Sequence, residues 1–294
     1  MEKQRIVFII NPISGRRRKP NLPAKIYDLL DRQRYVPGIV YTEYAGHAKE
    51  LASGAIANGI RFVVAVGGDG TVNEVGSAVR NTEAALGIIP IGSGNGLARH
   101  MQIPLTINGA LEVINKGVVQ RIDYGLLNGA PFFCTAGFGF DAKVGHVFAK
   151  AGQRGFITYA QTVLKEYGTY STKKYMIKLD GEKIKRKAFL LTIANASQFG
   201  NNAFVSPNAI IDDGLLDVTV VSPFPRRNAL DIGLRLFRRN LDKSQFTEVF
   251  TACRITIQRK KKLMAHMDGE PVMIKKKAKI RVVPGGLKII VPDK

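Results

Sequence analysis

One stretch restricts the possible folds more than any other: Phe62-Val63-Val64-Ala65-Val66-Gly67-Gly68-Asp69-Gly70-Thr71-Val72-Asn73-Glu74-Val75. Its first five residues are apolar without alternation, so both faces of the strand they form must be buried, as in a parallel sheet covered by helices. Three glycines within four positions then lead into helical spacing. Such a turn brings bare backbone N–H groups and a helix N-terminus to one point, which suits a phosphate. A plain strand-to-helix turn would need one glycine. The loop is not a Walker A sequence, since no Gly-Lys-Ser/Thr follows, nor the G-x-G-x-x-G of dinucleotide folds.

Two further loops share this construction: Asn11-Pro12-Ile13-Ser14-Gly15 after the apolar run ending at Ile10, and Gly92-Ser93-Gly94-Asn95-Gly96 after the run ending at Ile91. The spacing predicts strands at Arg5–Ile10, Gly38–Tyr41, Phe62–Val66 and Leu86–Ile91. It predicts helices at Pro23–Asp31, His47–Asn58, Thr71–Arg80 and Ile107–Asn115. Glycine loops at the carboxyl ends of parallel strands line one crevice, where open α/β sheets bind ligands. Ser14, Thr71 and Ser93 can donate hydroxyl hydrogen bonds to phosphate oxygens. Asp69 is an acid where an anion is expected; it suits either a bridging Mg²⁺ or the capping of the helix that follows it.

Beyond about residue 120 the pattern becomes strand-rich. Runs at Gln120–Leu127, Phe132–Thr135, Tyr175–Leu179, Phe189–Ala194, Leu216–Val221, Arg254–Ile257, Lys279–Val283 and Leu287–Val291 are strand-like. Turns fall at Asn128-Gly129, Asp180-Gly181 and Pro284-Gly285-Gly286, and helices at Gly155–Tyr167 and Asn228–Arg239. The 294 residues therefore divide into an α/β domain over 1–122 and an antiparallel β-rich domain over 123–294. The division leaves room for the extreme C-terminus to pack back on the first domain. Cys134 and Cys253 are the only cysteines; they make neither a disulfide framework nor a zinc site, and a reducing cytoplasm is expected. No apolar run approaches the roughly 18 residues of a membrane span, so membrane contact is expected to be peripheral.

In order along the chain, Asn11-Pro12-x-Ser14-Gly15, Gly67-Gly68-Asp69-Gly70-Thr71-x-Asn73-Glu74, Gly92-Ser93-Gly94-Asn95 and Asp268-Gly269-Glu270 resemble the motifs of the diacylglycerol kinase catalytic family. That family includes soluble bacterial lipid kinases and sphingoid-base kinases. The resemblance implies a phosphofructokinase-like N-terminal α/β domain, a C-terminal antiparallel β-sandwich, and an active site in the cleft between them. It implies ATP held by Asn11, Pro12, Ser14, Gly15, Thr42, Gly67, Gly68, Asp69, Gly70, Thr71, Asn73, Glu74, Gly92, Ser93, Gly94 and Asn95. The family's proton acceptor maps onto Glu270; among the chain's own acids Asp69 and Asp268 are further catalytic candidates, Asp268 either carrying part of the role or orienting Glu270. A Mg²⁺ is implied on the Asp213 carboxylate with the Ile210 and Leu215 carbonyls. One position departs: many bacterial diacylglycerol kinases carry Asp after the loop asparagine, whereas this chain has Gly96, closer to the sphingoid and ceramide kinases. Diacylglycerol and a sphingoid- or ceramide-like lipid both stay open as acceptors.

Without the resemblance, Met267-Asp268-Gly269-Glu270 reads as an exposed hairpin turn. His47, His100, His146 and His266 occur singly and read as surface or packing residues. The 44 Lys and Arg against 23 Asp and Glu give a net charge of +21, which calls for an anionic partner. Basic clusters fall at Arg16–Lys19, Lys183–Lys187, Arg226-Arg227, Arg235 to Arg239, Arg259–Lys262 and Lys275–Lys277. For a lipid-directed enzyme they point to an anionic membrane surface on the cytoplasmic side. A nucleic-acid partner is not expected, because Trp is absent and the clusters lack interleaved stacking residues. The competing readings are an NAD kinase-like nucleotide kinase and, from another class, a basic nucleic-acid-binding protein or a lipid-binding protein without turnover. The oligomer, a homodimer included, is left open.

Overall fold

The computed structural model describes residues 3–15, 21–150 and 165–293. The basic cluster Arg16–Lys19 lies outside these residues. So does the helix expected at Gly155–Tyr167, apart from its last three residues, which are helical. The chain forms two units, one of residues up to Ile122 together with those from Gly285 onward, the other of Asp123–Pro284.

In the first unit, β1 (Gln4–Ile10), β2 (Tyr35–Tyr41), β3 (Phe62–Gly67) and β4 (Ala85–Pro90) pair in parallel in the order β2-β1-β3-β4. Every residue of β3 and β4 is buried, as strands apolar on both faces require. The connecting helices are α1 (Leu22–Leu29), α2 (His47–Ala57), α3 (Asp69–Val79), α4 (Gly96–His100) and α5 (Ile107–Lys116). The sequence pattern omits α4, which is a turn and a half long. α5 is capped by Thr106, whose side chain accepts the Gly109 N–H, and closed by Gly117 in the left-handed conformation. The strand order places a topological switch point between β1 and β3.

The second unit is a sandwich. One sheet runs β12 (Thr247–Ala252), β11 (Leu216–Val221), β10 (Leu190–Ala194), β7 (Thr135–Gly139), β14 (Leu263–Met267), β15 (Glu270–Ile274), all antiparallel. The other contains β9 (Glu182–Ala188), β8 (Lys173–Leu179), β13 (Arg254–Gln258) and the first half of β16 (Lys277–Val291). Between them lies an apolar core that includes Phe138, Ile177, Ile193, Val218, Ile257 and Ile280. β5 (Val118–Leu127) pairs with β6 (Ala130–Phe132). Helices α6 (Phe140–Lys150) and α7 (Ala229–Phe237) complete the unit.

Asn128-Gly129, Asp180-Gly181 and Asp268-Gly269 all have positive φ at both residues and close two-residue hairpins, as type I′ turns demand. The turn expected at Pro284-Gly285-Gly286 does not form. Only Gly285 takes a left-handed φ, +58°, and β16 continues through it to Val291. Its second half belongs to the first unit, where Ile289 pairs with Leu86 of β4.

Candidate active site

In the first unit three loops leave the carboxyl ends of β1, β3 and β4 and pack against one another. The Asn11 N–H donates to the Val66 carbonyl at 3.0 Å and the Ile91 N–H to the Gly67 carbonyl at 2.9 Å. The Asn11 side chain donates to the Thr71 hydroxyl at 3.2 Å, and its carbonyl oxygen accepts the Ile13 N–H at 3.1 Å. Thr42, which is buried, continues the edge from β2 by donating its N–H to the Ile10 carbonyl at 2.9 Å. A side chain at Gly15, where φ is +85°, would meet the Ile91 carbonyl at 2.6 Å. One at Gly68 would meet the Gly92 Cα at 3.2 Å, and one at Gly92 would lie well inside 3.0 Å of the Gly68 Cα. The glycines therefore let loop backbones touch, which leaves their N–H groups at one edge of the sheet beside the α3 N-terminus.

Asp69 bridges two of the loops. Its carboxylate accepts the Asn95 N–H at 2.8 Å with one oxygen and the Gly96 N–H at 2.6 Å with the other. These contacts cap the start of α4 and tie the second glycine loop to the third. Asn95 adopts a left-handed φ of 53° and donates through its side chain to the Gly92 carbonyl at 2.9 Å. Its carbonyl oxygen is buried without a protein partner. Arg99 donates to the Gly94 carbonyl at 3.0 Å.

Glu74 is likewise a brace. Its two oxygens accept the Gly46 N–H at 2.8 Å and the Ala48 N–H at 3.0 Å, capping the start of α2. Both oxygens of the carboxylate expected on the nucleotide are thus engaged by backbone. Asn73, on the same helix, accepts from Ser77. Ser93 and Pro12 are exposed, and Ser14 is partly so.

In the second unit, the Asp268-Gly269 turn joins β14 to β15. The Asp268 carboxylate accepts three successive backbone N–H groups, from Phe133 at 2.8 Å, Cys134 at 2.8 Å and Thr135 at 3.0 Å. It anchors the hairpin that carries Glu270 to the segment entering β7. Glu270 is exposed at the first position of β15, opposite Met267. Among the described residues its carboxylate has no hydrogen-bond or ion-pair partner, which leaves it available as a base.

Asp213 sits in a tight acidic turn. One of its oxygens accepts the Leu215 N–H at 2.9 Å, while the Gly214 N–H donates to buried Asp123 at 2.6 Å. Gly214 has φ +78°, so a left-handed residue holds the turn open. Burial pushes the Asp217 carboxyl above its ordinary range; the hydrogen bond from Ser206 pulls the other way, and the Asp213 charge adds to the rise. Among the described residues no three His, Cys, Asp or Glu side chains gather as a metal cage. The Ile210 and Leu215 carbonyls expected to join Asp213 on a Mg²⁺ belong to the same segment of chain.

The sequence gives no sign of a buried pair nearby. His266 Nε2 lies 3.2 Å from Asp141 Oδ2, and both side chains are nearly inaccessible. Thr192 donates to the same carboxylate oxygen at 3.1 Å, and the Ala142 N–H to the other at 2.8 Å. His266 is thus neither a surface residue nor a simple packing one. Its partner is 125 positions away in the chain, beyond any spacing signal.

Comparison with known proteins follows this division. The diacylglycerol kinase catalytic domain matches residues 5–127 and the YegS C-terminal NAD kinase beta sandwich-like domain residues 134–291. A Pseudomonas aeruginosa protein named "Probable lipid kinase YegS-like" is 30% identical over 251 residues, covering 84% of this chain and 82% of that one. An uncharacterized Synechocystis protein is 32% identical over 211 residues; the match covers 69% of this chain and 47%, about half, of that protein's length. The crystal structure of a diacylglycerol kinase from Bacillus anthracis superposes with a TM-score of 0.75 at 21% identity, covering 99% of this chain and 98% of the other, which establishes the shared fold.

Proposed function

The chain belongs to the diacylglycerol kinase catalytic family of lipid kinases, and from that premise we propose that it transfers the γ-phosphoryl group of ATP to a hydroxyl of a membrane lipid, with Mg²⁺. The observation that carries the reading is the backbone contact of three glycine loops at the carboxyl edge of the parallel sheet. Bare N–H groups beside a helix N-terminus suit the phosphates of a nucleotide, and Asn11, Gly67, Gly68, Thr71, Gly92 and Asn95 would hold them. Asn95 adds a buried carbonyl oxygen that still lacks a donor.

Phosphoryl transfer to an alcohol asks little covalent chemistry of the protein. It requires positioning, charge compensation and a group that takes the hydroxyl proton as the new P–O bond forms. Glu270, exposed and without a hydrogen-bond or ion-pair partner among the described residues, supplies that acceptor, and Asp268 fixes the turn that presents it. A divalent ion would be held by Asp213 with the Ile210 and Leu215 carbonyls, and when bound it would compensate phosphate charge. Diacylglycerol, named in the matching family, is the first acceptor to try; Gly96 keeps sphingoid- and ceramide-like alcohols in the panel.

The test is labelled ATP with that panel and the Glu270→Gln variant. Losing a general base costs about 10²–10⁴ in rate, so turnover should fall by that order while ATP affinity stays near the parent value. Undiminished turnover would remove Glu270 from the reaction, and failure of every lipid to accept phosphate would overturn the reading itself.

A further inference from the structure

Helix α7 is apolar on two opposite sides. Ile232 and Leu236 pack inward on a small cluster with Leu190, Val205 and Val221. On the far side Leu230, Leu234 and Phe237, spaced i, i+4 and i+7, form one stripe and are 74%, 40% and 48% exposed. Single exposed apolar residues are ordinary, but three aligned on one helix are not. Exposed arginines bracket the stripe, Arg226 and Arg227 before it and Arg238 and Arg239 after it. The helix's one acid, Asp231, is already paired with Arg235 at 2.8 Å.

We propose that α7 is the element by which the protein docks on an anionic bilayer, with Leu230, Leu234 and Phe237 entering the acyl boundary and the flanking arginines meeting lipid phosphates. The proposal rests on the lipid-kinase reading, because a substrate held in a membrane must be reached there. Apolar side chains on one face with basic residues around them are the composition of interfacial helices. Charge complementarity selects the occupant: a second copy of a chain with net charge +21 would bring like charges together at this stripe, whereas an anionic lipid surface would neutralise them.

A second basic surface competes for the same role. On the outer face of the β9-β8-β13-β16 sheet, like charges stand directly opposite at Lys174 and Lys187, Lys178 and Lys183, and Arg254 and Arg281. Such pairs are destabilising in isolation. That face carries little apolar surface besides Met176, so it can attract a bilayer but not enter it. The two surfaces cannot both lie on one plane. Leu190 and Val221, under α7, alternate with Leu191 and Val220 of the central core, so α7 covers the outer face of one sheet. The lysine rows lie on the outer face of the other.

The chain contains no tryptophan, so a single one introduced by substitution is a clean reporter in the full-length protein. Leu230→Trp should shift its emission to the blue and resist aqueous quencher when phosphatidylglycerol vesicles are added, and not with phosphatidylcholine alone. Met176→Trp should stay unshifted on the same vesicles. The double variant Leu230→Ser, Leu234→Ser should lose vesicle affinity by at least about tenfold. It should keep parent turnover on a short-chain diacylglycerol presented without vesicles. A blue shift at position 176 but not 230, unchanged affinity of the double variant, or a vesicle-free dimer that the double variant abolishes would each overturn the proposal. Absence of turnover on any acceptor by the parent protein would instead defeat the kinase reading and leave the docking result standing.

Discussion

Gly92→Ala tests the packing of the glycine loops more sharply than any other single methyl group. At Gly92 the added Cβ would lie well inside 3.0 Å of the Gly68 Cα and 2.9 Å from the buried Asn95 carbonyl oxygen. The Asn95 oxygen is the end of a side chain and can swing aside, but the Gly68 Cα is backbone, so there the chain must yield by roughly half an ångström to an ångström to reach an ordinary contact. Overpacking of this kind costs about 1–3 kcal/mol. The same displacement moves N–H groups proposed to hold phosphate, and a misplacement near 1 Å can cost about 10²-fold in rate. Gly68→Ala is the internal comparison: its Cβ would stand 3.2 Å from the Gly92 Cα, so a shift of a few tenths of an ångström suffices. Denaturant titration and calorimetric ATP binding on both variants should rank Gly92→Ala as the more damaging on each measure. Equal effects, or the reverse order, would show that the loops do not meet backbone to backbone as described.

Two further substitutions separate braces from participants. Asp268→Ala withdraws the acceptor of three backbone N–H groups and should cost about 2–4 kcal/mol, lowering kcat through Glu270 while ATP affinity holds; Asp268→Asn, which keeps one carbonyl oxygen and tolerates the positive φ, should fall between, and an undisturbed Asp268→Ala variant would make the hairpin self-supporting. Glu74→Gln sets an amide against one of two N–H donors at the start of α2 and should cost about 1–2 kcal/mol with ATP affinity unchanged, whereas a large loss of affinity at parent stability would return Glu74 to the nucleotide site.

How far the sequence discloses this molecule depends on whether a signal is local. The sheet of the first unit is legible because β3 and β4 are apolar at every position, and the type I′ hairpins because Asn-Gly and Asp-Gly carry their own left-handed preference. β9 escapes the reading: Glu182–Ala188 is mostly charged, since its outward residues belong to the lysine rows and only alternate positions turn inward. α6 escapes because it begins at Phe140 directly after β7 ends at Gly139, with no polar turn to mark the change of period.

The roles of the carboxylates escape for a different reason. Asp69, Glu74 and Asp268 stand inside motifs that suggest chemistry, yet each accepts backbone N–H groups distant along the chain, 26 or 27 positions away for Asp69, 26 or 28 for Glu74 and 133 to 135 for Asp268. A buried or half-buried carboxylate is costly unless donors surround it, and the loops provide those donors because glycines and turns leave their N–H groups unused. Each of these acids therefore holds a loop in place. Glu270, which has no such donors among the described residues, is left with a carboxylate that can move a proton. The sequence presents all four as acids inside glycine-bearing motifs; what distinguishes them is whether folding has already engaged their oxygens with backbone donors.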